Sequence, residues 1–248
     1  MTSNPPLTRN TKGKPESGSP QFYGRRGGHK LRAGRQKLVD ELLPQISLAS
    51  NAEQIDLESE FDADMRDIWL EVGFGAGEHL AAQAQANPDI GFIGCEPFIN
   101  GVATLLAQID QHNLTNIRIF EDDARRLLPR LPEGGIGRGF VLFSDPWPKT
   151  RHHRRRFIEP SNLDMLAQVL KDGAELRFAS DHTGYVSWAL EHVTRHPSFD
   201  WPARSFEDWR ETPEDWVQTR YESKALARGE ACAYLRFCRR VRANETLD

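Results

Sequence analysis

The chain has 248 residues, 38% of them hydrophobic and 27% charged, with a formal net charge of -4; that is enough for one sizeable core with appendages and too little for two comfortable ones. No segment approaches the ~20 apolar residues of a membrane span, the N-terminus MTSNPPLTRNTKGKPESGSP lacks the apolar centre of a signal peptide, and Cys95, Cys232 and Cys238 form neither a CxxC pair nor a cluster with His. The expectation is a soluble cytoplasmic protein with reduced thiols, no membrane contact and no metal.

In chain order, residues 1–20 are rich in Pro, Ser, Gly and Lys and are expected to be a disordered tail. Residues 21–65 divide into a basic N-terminal segment, FYGRRGGHKLRAGRQK, and an acidic connector. Leu31 to Leu43 suits a short helix ended by Pro44, and 45–65 is expected to be weakly structured. Residues 1–37 carry nine Lys and Arg against Glu16 alone, whereas 40–71 carry ten acids against Arg66. The acidic total therefore leaves room for a polyanionic partner, because local patches decide such contacts.

From 66 to 242 strands and helices alternate. Apolar runs at Ile68–Val72, Gly91–Cys95, Asn116–Phe120, Phe140–Phe143 and Ala174–Ala179 suit strands, with helices near 77–86, 98–111, 124–130, 160–170 and 183–195. This succession predicts an α/β, doubly wound, mostly parallel sheet with helices on both faces. Ala231 to Val241 alternates apolar and polar residues, as an edge strand added last would. Ligands of such sheets lie beyond the carboxyl ends of the strands.

The first strand runs into EVGFGAGEH, in which Gly73, Gly75 and Gly77 allow a tight turn and close approach of a ligand to the next helix. A dinucleotide turn wants a small residue where Glu78 stands, and Glu71 and Glu78 would oppose a pyrophosphate. Glu96 ends the second strand 19 residues beyond Gly77, where a carboxylate accepts from both ribose hydroxyls. Asp123, after the third strand, is placed to accept from an adenine amino group. An adenosine ligand with a positive charge and no phosphate, S-adenosylmethionine, fits these positions. Asp123 also suits a helix N-cap, and Glu96 a turn acid.

The fourth strand ends in FSDPWPKTRHHRRR, which sets Asp145 among prolines and then places five Lys and Arg within eight residues, Lys149 to Arg156, without an acid. Such a run suits a phosphate track better than a solvated face. With WLEVGFGAGEH upstream and TRYESKALARGE downstream, this stretch resembles the bacterial tRNA (guanine-N7-)-methyltransferase family, TrmB, over nearly the whole chain after the tail. The resemblance implies a Rossmann-like class I methyltransferase domain over 66–242, a seven-stranded sheet with an antiparallel last strand, S-adenosyl-L-methionine as cofactor and tRNA as partner.

Residue by residue, the resemblance assigns Glu71, Glu96, Asp123 and Asp145 to the cofactor, beside the glycines Gly73, Gly75 and Gly77, and makes Asp145 the catalytic residue. It assigns Lys149, Asp181, Thr219, Arg220, Tyr221 and Glu222 to the substrate. It assigns Arg151, His152, His153, Arg154, Arg155 and Arg156 to RNA contact. Ser144 stands where many members have a second proline, Ala76 where Met is common, and GCEPFING replaces a more usual glutamate-valine-histidine sequence; these departures bear on the pocket floor. The implied reaction forms N7-methylguanosine at guanine 46 of the tRNA variable loop.

Guanine N7 has a free lone pair, so the reaction needs alignment rather than a general base. Asp145 would accept from the N–H edge of guanine and offset the charge developing on the purine, while the cations hold the RNA backbone without reading its sequence. The basic N-terminal segment would bracket the same rim if it folds back. Competing readings are an amino-group base methyltransferase, whose usual D-P-P-Y or N-P-P-Y motif differs from DPWPK, and a non-catalytic RNA-binding module on the same scaffold. A nicotinamide oxidoreductase lacks its phosphate turn here. Asp181 also suits a helix cap, and both a monomer and a homodimer are compatible with the sequence.

Overall fold

A computed structural model describes residues 22–49 and 52–243; the tail expected over 1–20 lies outside the described residues. The elements run α1 (Ala33–Glu41), α2 (Leu43–Ile46), α3 (Leu57–Glu60), β1 (Asp67–Val72), α4 (Glu78–Ala86), β2 (Ile90–Cys95), α5 (Ile99–His112), β3 (Ile117–Phe120), α6 (Ala124–Leu127) and β4 (Ile136–Leu142). A 3-10 turn over Thr150–Arg155 leads to α7 (Pro160–Val169), β5 (Leu170–Ser180), α8 (Thr183–Arg195), β6 (Phe199–Asp200), α9 (Glu207–Arg210), α10 (Arg220–Ala227) and β7 (Ala233–Arg239).

The seven strands form one sheet in the order β3-β2-β1-β4-β5-β7-β6. The first five pair in parallel, and β7 runs antiparallel between β5 and β6. All six residues of β2 are buried, as expected of a strand covered on both faces. Alternation sorts the side chains: Leu70 and Val72 enter the core that contains α7 and α8, while Trp69, Phe92 and Phe140 face the core that contains α4 and α5. The chain runs outward through β2 and β3 and then crosses to β4, so the topological switch point, where ligands of such sheets bind, lies between β1 and β4.

Three expectations are corrected. The strand expected at the sheet edge over 231–241 is interior, because the two-residue β6 pairs outside it through Phe199 and Asp200. The connector expected to be weakly structured is part of the fold: Leu48, Ile55, Leu57 and Phe61 are buried, and Leu48 N donates to Ile119 O at 2.9 Å. Its acids stay on the surface while four apolar side chains fill the space beneath α6 and β2. Pro44 does not simply end a helix; it sits in the first turn of α2, where a missing N–H costs nothing. Among the described residues, no helix is long and apolar enough to cross a membrane.

Candidate active site

The turn after β1 is built from its glycines: Gly73, Gly75 and Gly77 have φ of 72°, 60° and 80°, which side chains rarely tolerate. A Cβ at Gly101, near the start of α5, would fall 2.1 Å from the Gly75 carbonyl oxygen, so the helix of the second unit lies directly against the turn. Glu96 holds that corner. Its carboxylate accepts from Gly75 N and Phe98 N, each at 2.9 Å. Four lone-pair sites on the carboxylate exceed these two donors, so a diol remains compatible with it.

Glu71 is 4% exposed, and its Oε2 lies 2.7 Å from Nδ1 of His79, itself 2% exposed. Desolvation raises the Glu96 pKa above the ordinary carboxylate value; the amides of Phe98 and Gly75 oppose the rise, and the charges of Asp145 and Glu71 add to it. Asp145 lies on the open side of the cleft, and partial desolvation raises its pKa as well. Three of the four sequence-expected acids thus share one field, from the ends of β1, β2 and β4. The bonds made to Glu71 and Glu96 come from an imidazole and two backbone amides rather than from Lys or Arg, so the pocket suits a positively charged ligand.

Asp123 differs. It caps α6 by accepting from Arg125 N at 3.0 Å, and Arg125 Nη2 lies 2.5 Å from its Oδ2. The helix-cap reading is realised, and an adenine amino group would have to share this carboxylate with a guanidinium. Asp122 next to it pairs with Arg26 at 2.5 Å and Arg126 at 2.9 Å.

The loop after β4 carries Phe143 at φ 49° and Trp147 at φ 44°. Left-handed backbone costs a non-glycine residue on the order of 1 to 3 kcal/mol and persists only where the surroundings fix it. Here they do. Arg156 Nε donates to Pro146 O at 2.8 Å and Nη1 to Gly184 O at 3.2 Å, with its guanidinium 5.1 Å from the ring centres of both Tyr185 and Trp188. Ser144 Oγ donates to the Tyr185 hydroxyl at 3.3 Å.

Arg156 is therefore corrected as an RNA contact: at 3% exposure it is a beam under the Asp145 loop. Lys149, Arg151 and Arg154 are exposed. Arg155 stacks on Tyr23 and Trp147, 4.3 and 4.9 Å from their ring centres, while His153 packs against Trp188 and His152 against Trp147. Desolvation, with the cations of Arg155, Arg151, Lys149 and Arg154 adding to it, lowers the His152 pKa, so His152 adds no charge to the run at neutral pH.

The basic N-terminal segment folds back across this rim. Tyr23 meets Trp147 edge-on at 6.4 Å, Ile99 N donates to Arg26 O at 3.1 Å, and Asn100 joins Gly28 N and His29 O at 2.8 and 2.7 Å. GCEPFING, which departs from the family pattern, thus supplies the Asn that ties the strap down.

The downstream substrate residues split into two sets. Thr219 and Glu222 form a capping box at α10. Glu222, 1% exposed, also accepts from Trp216 Nε1 at 2.8 Å and the Tyr234 hydroxyl at 2.6 Å. Their side chains face inward, which corrects their assignment as direct substrate contacts. Arg220 and Tyr221 are exposed, and a Cβ at Gly75 would lie 3.3 Å from Tyr221 Cε2, so α10 overhangs the glycine turn. Asp181 pairs with Arg228 at 3.2 Å, and the cap of α8 is His182 rather than Asp181. His79, Arg125, Tyr23 and Asn100 join the site from outside the sequence-expected set; of these His79, beside the glycines in GEH, has a local signal. Among the described residues, no group of three metal-ligating side chains comes together.

Comparison with known proteins agrees with this geometry. Residues 65–235 match the family described as "Putative methyltransferase". The tRNA (guanine-N(7)-)-methyltransferase of Rhodospirillum rubrum is 53% identical over 90% of this chain and 89% of its own, and that of Paramagnetospirillum magneticum 49% identical over 90% and 94%. The crystal structure of the 16S rRNA methyltransferase KamB superposes with a TM-score of 0.51 at 18% identity, covering 78% of this chain and 99% of that one; this likeness speaks for the fold alone. With half its sequence shared along nearly its full length, the chain belongs to the tRNA (guanine-N(7)-)-methyltransferase family.

Proposed function

We propose that the chain transfers a methyl group from S-adenosylmethionine to N7 of guanine in tRNA, at guanine 46 of the variable loop. The observation that carries this reading is the convergence of Glu71, Glu96 and Asp145 on one field at the switch point of the sheet, under a rim of exposed cations. The residues fit the cofactor: carboxylates that no Lys or Arg neutralises suit its ammonium and sulfonium, Glu96 can take the ribose hydroxyls, and the glycines of the turn carry no side chains of their own into the site. When bound, the cofactor supplies an electrophilic methyl group.

The remaining work falls to this chain. Asp145, held by a loop fixed from below, accepts from the N1–H and amino edge of guanine and so turns N7 toward the methyl group; alignment of this kind contributes on the order of 7 to 11 kcal/mol. As the N7–carbon bond forms and the carbon–sulfur bond breaks, positive charge passes to the purine, where a carboxylate offsets it. No proton needs to leave N7. Lys149, Arg151 and Arg154 hold phosphates, and Arg220 and Tyr221 face the entrance.

The test is transfer of labelled methyl to unmodified tRNA, followed by nucleoside mass analysis and mapping of the modified position. N7-methylguanosine at position 46 is expected. N6-methyladenosine or N2-methylguanosine would select an amino-group methyltransferase, and cofactor binding without product on any RNA would leave a binding module.

A further inference from the structure

His79 takes no part in the chemistry described so far, yet it is one of the most buried polar side chains in the fold, at 2% exposure. It lies in the first turn of α4, two residues beyond Gly77, with its ring 4.8 Å from Phe140 and 5.9 Å from Trp216. Nδ1 meets Glu71 Oε2 at 2.7 Å. Nε2 is buried and makes no hydrogen bond among the described residues. A position between two aromatic rings asks for an apolar side chain, and a bare ring nitrogen there costs free energy. Among the described residues the bond to Glu71 alone offsets this cost.

We infer that His79 is a positioning residue for the cofactor: it donates from Nδ1 to Glu71 Oε2 and so fixes the carboxylate with Oε1 presented to the methionine ammonium. A carboxylate only accepts, so the imidazole carries a proton on Nδ1. β1 pairs Glu71 with Phe140 on β4, and the same Phe140 packs on His79. The strand carboxylate, the helix imidazole and the neighbouring strand thus form one closed unit. Left alone on β1, Glu71 would choose between rotamers; His79 leaves it one. The inference rests on the reading of Glu71 as the cofactor's ammonium acceptor.

The test compares binding of S-adenosylmethionine with that of 5'-methylthioadenosine, which keeps the nucleoside and its sulfur but lacks the amino-acid end and the sulfonium charge, by calorimetry on the full chain, with S-adenosylhomocysteine, a neutral thioether that keeps the amino-acid end, run beside them. His79→Leu fills the space without a donor; His79→Asn places an amide nitrogen where Nδ1 was. S-adenosylmethionine affinity is expected to fall about tenfold to a hundredfold in His79→Leu, with methylthioadenosine affinity unchanged and His79→Asn recovering most of the loss. Because His79→Leu can lose the fold, Glu71→Gln serves as a second variant, and it should show the same selective loss. Equal losses for S-adenosylmethionine and methylthioadenosine, or no recovery in His79→Asn while the wild type binds normally, would overturn the role of His79 and leave the methyltransferase reading standing. Failure of the wild type to bind S-adenosylmethionine would overturn both.

Discussion

Arg156→Ala separates structure from RNA contact within one basic run. The substitution removes the charged donor from two carbonyls, Pro146 O and Gly184 O, and a hydrogen bond to a charged group contributes about 1.5 to 3 kcal/mol. Two such bonds give about 3 to 6 kcal/mol, and water reaching the freed loop carbonyls holds the loss near the lower figure. For a chain of this length about 3 kcal/mol corresponds to a fall of roughly 6 to 12 °C in Tm. Thermal and urea melts measure it, and a titration of tRNA binding against salt is run beside them. The salt slope should stay at the wild-type value, because a buried guanidinium releases no counterion. Arg151→Ala with Arg154→Ala should do the reverse: stability within about 0.5 kcal/mol of wild type and a slope reduced by about 1.4 to 1.8. An Arg156→Ala protein that melts like wild type and shows the reduced slope would refute the assignment of Arg156 to the interior.

Three further outcomes are expected. Asp145→Asn should abolish most turnover while leaving Tm at or above the wild-type value at neutral pH, since a carboxylate whose pKa is raised by desolvation stabilises the fold below its unfolded pKa and loses that contribution as pH rises through the folded one; a lowered Tm would show that its charge is paired. For the same reason the acidic limb of kcat/KM should lie above the ordinary aspartate pKa, and a limb at or below that value would remove Asp145 from the rate. Arg125→Ala should tighten S-adenosylmethionine binding about threefold to fivefold, because it frees Asp123 from a half-buried pair contributing about 1 kcal/mol; equal or weaker binding, by calorimetry, would show that Asp123 only caps α6.

What could be read in advance follows from how local the cause is. β1, β2 and α8 were legible because burial on both faces writes a continuous apolar run, and an amphipathic helix writes a 3.6-residue period. The glycine turn and the acids were legible because positive φ and strand-end position are local properties. Arg155 and Arg156 are the counterexample. They are neighbours of one type, yet one stacks on the rim and the other lies inside, a choice made by Tyr185 and Trp188 some 30 residues later. Glu222 was hidden likewise: its inward turn depends on Tyr234, 12 residues on. β6 was missed because two residues carry no period, and the order of β7 and β6 is a matter of tertiary pairing.

The strap formed by residues 22–30 has a kinetic consequence. Its anchors are Asp122 after β3, Asn100 after β2 and Trp147 after β4, and the first two lie 96 and 72 residues from their partners in the chain. Those anchor points exist together only once β2, β3 and β4 have come side by side, so the strap is expected to close after them. Loops of that length close slowly relative to local helix formation, and segments at the low end of the opening ladder exchange their amides earliest. Among the described residues the Gly28 amide is held by the Asn100 side chain alone, which makes it in effect a clock on the assembly of the whole rim.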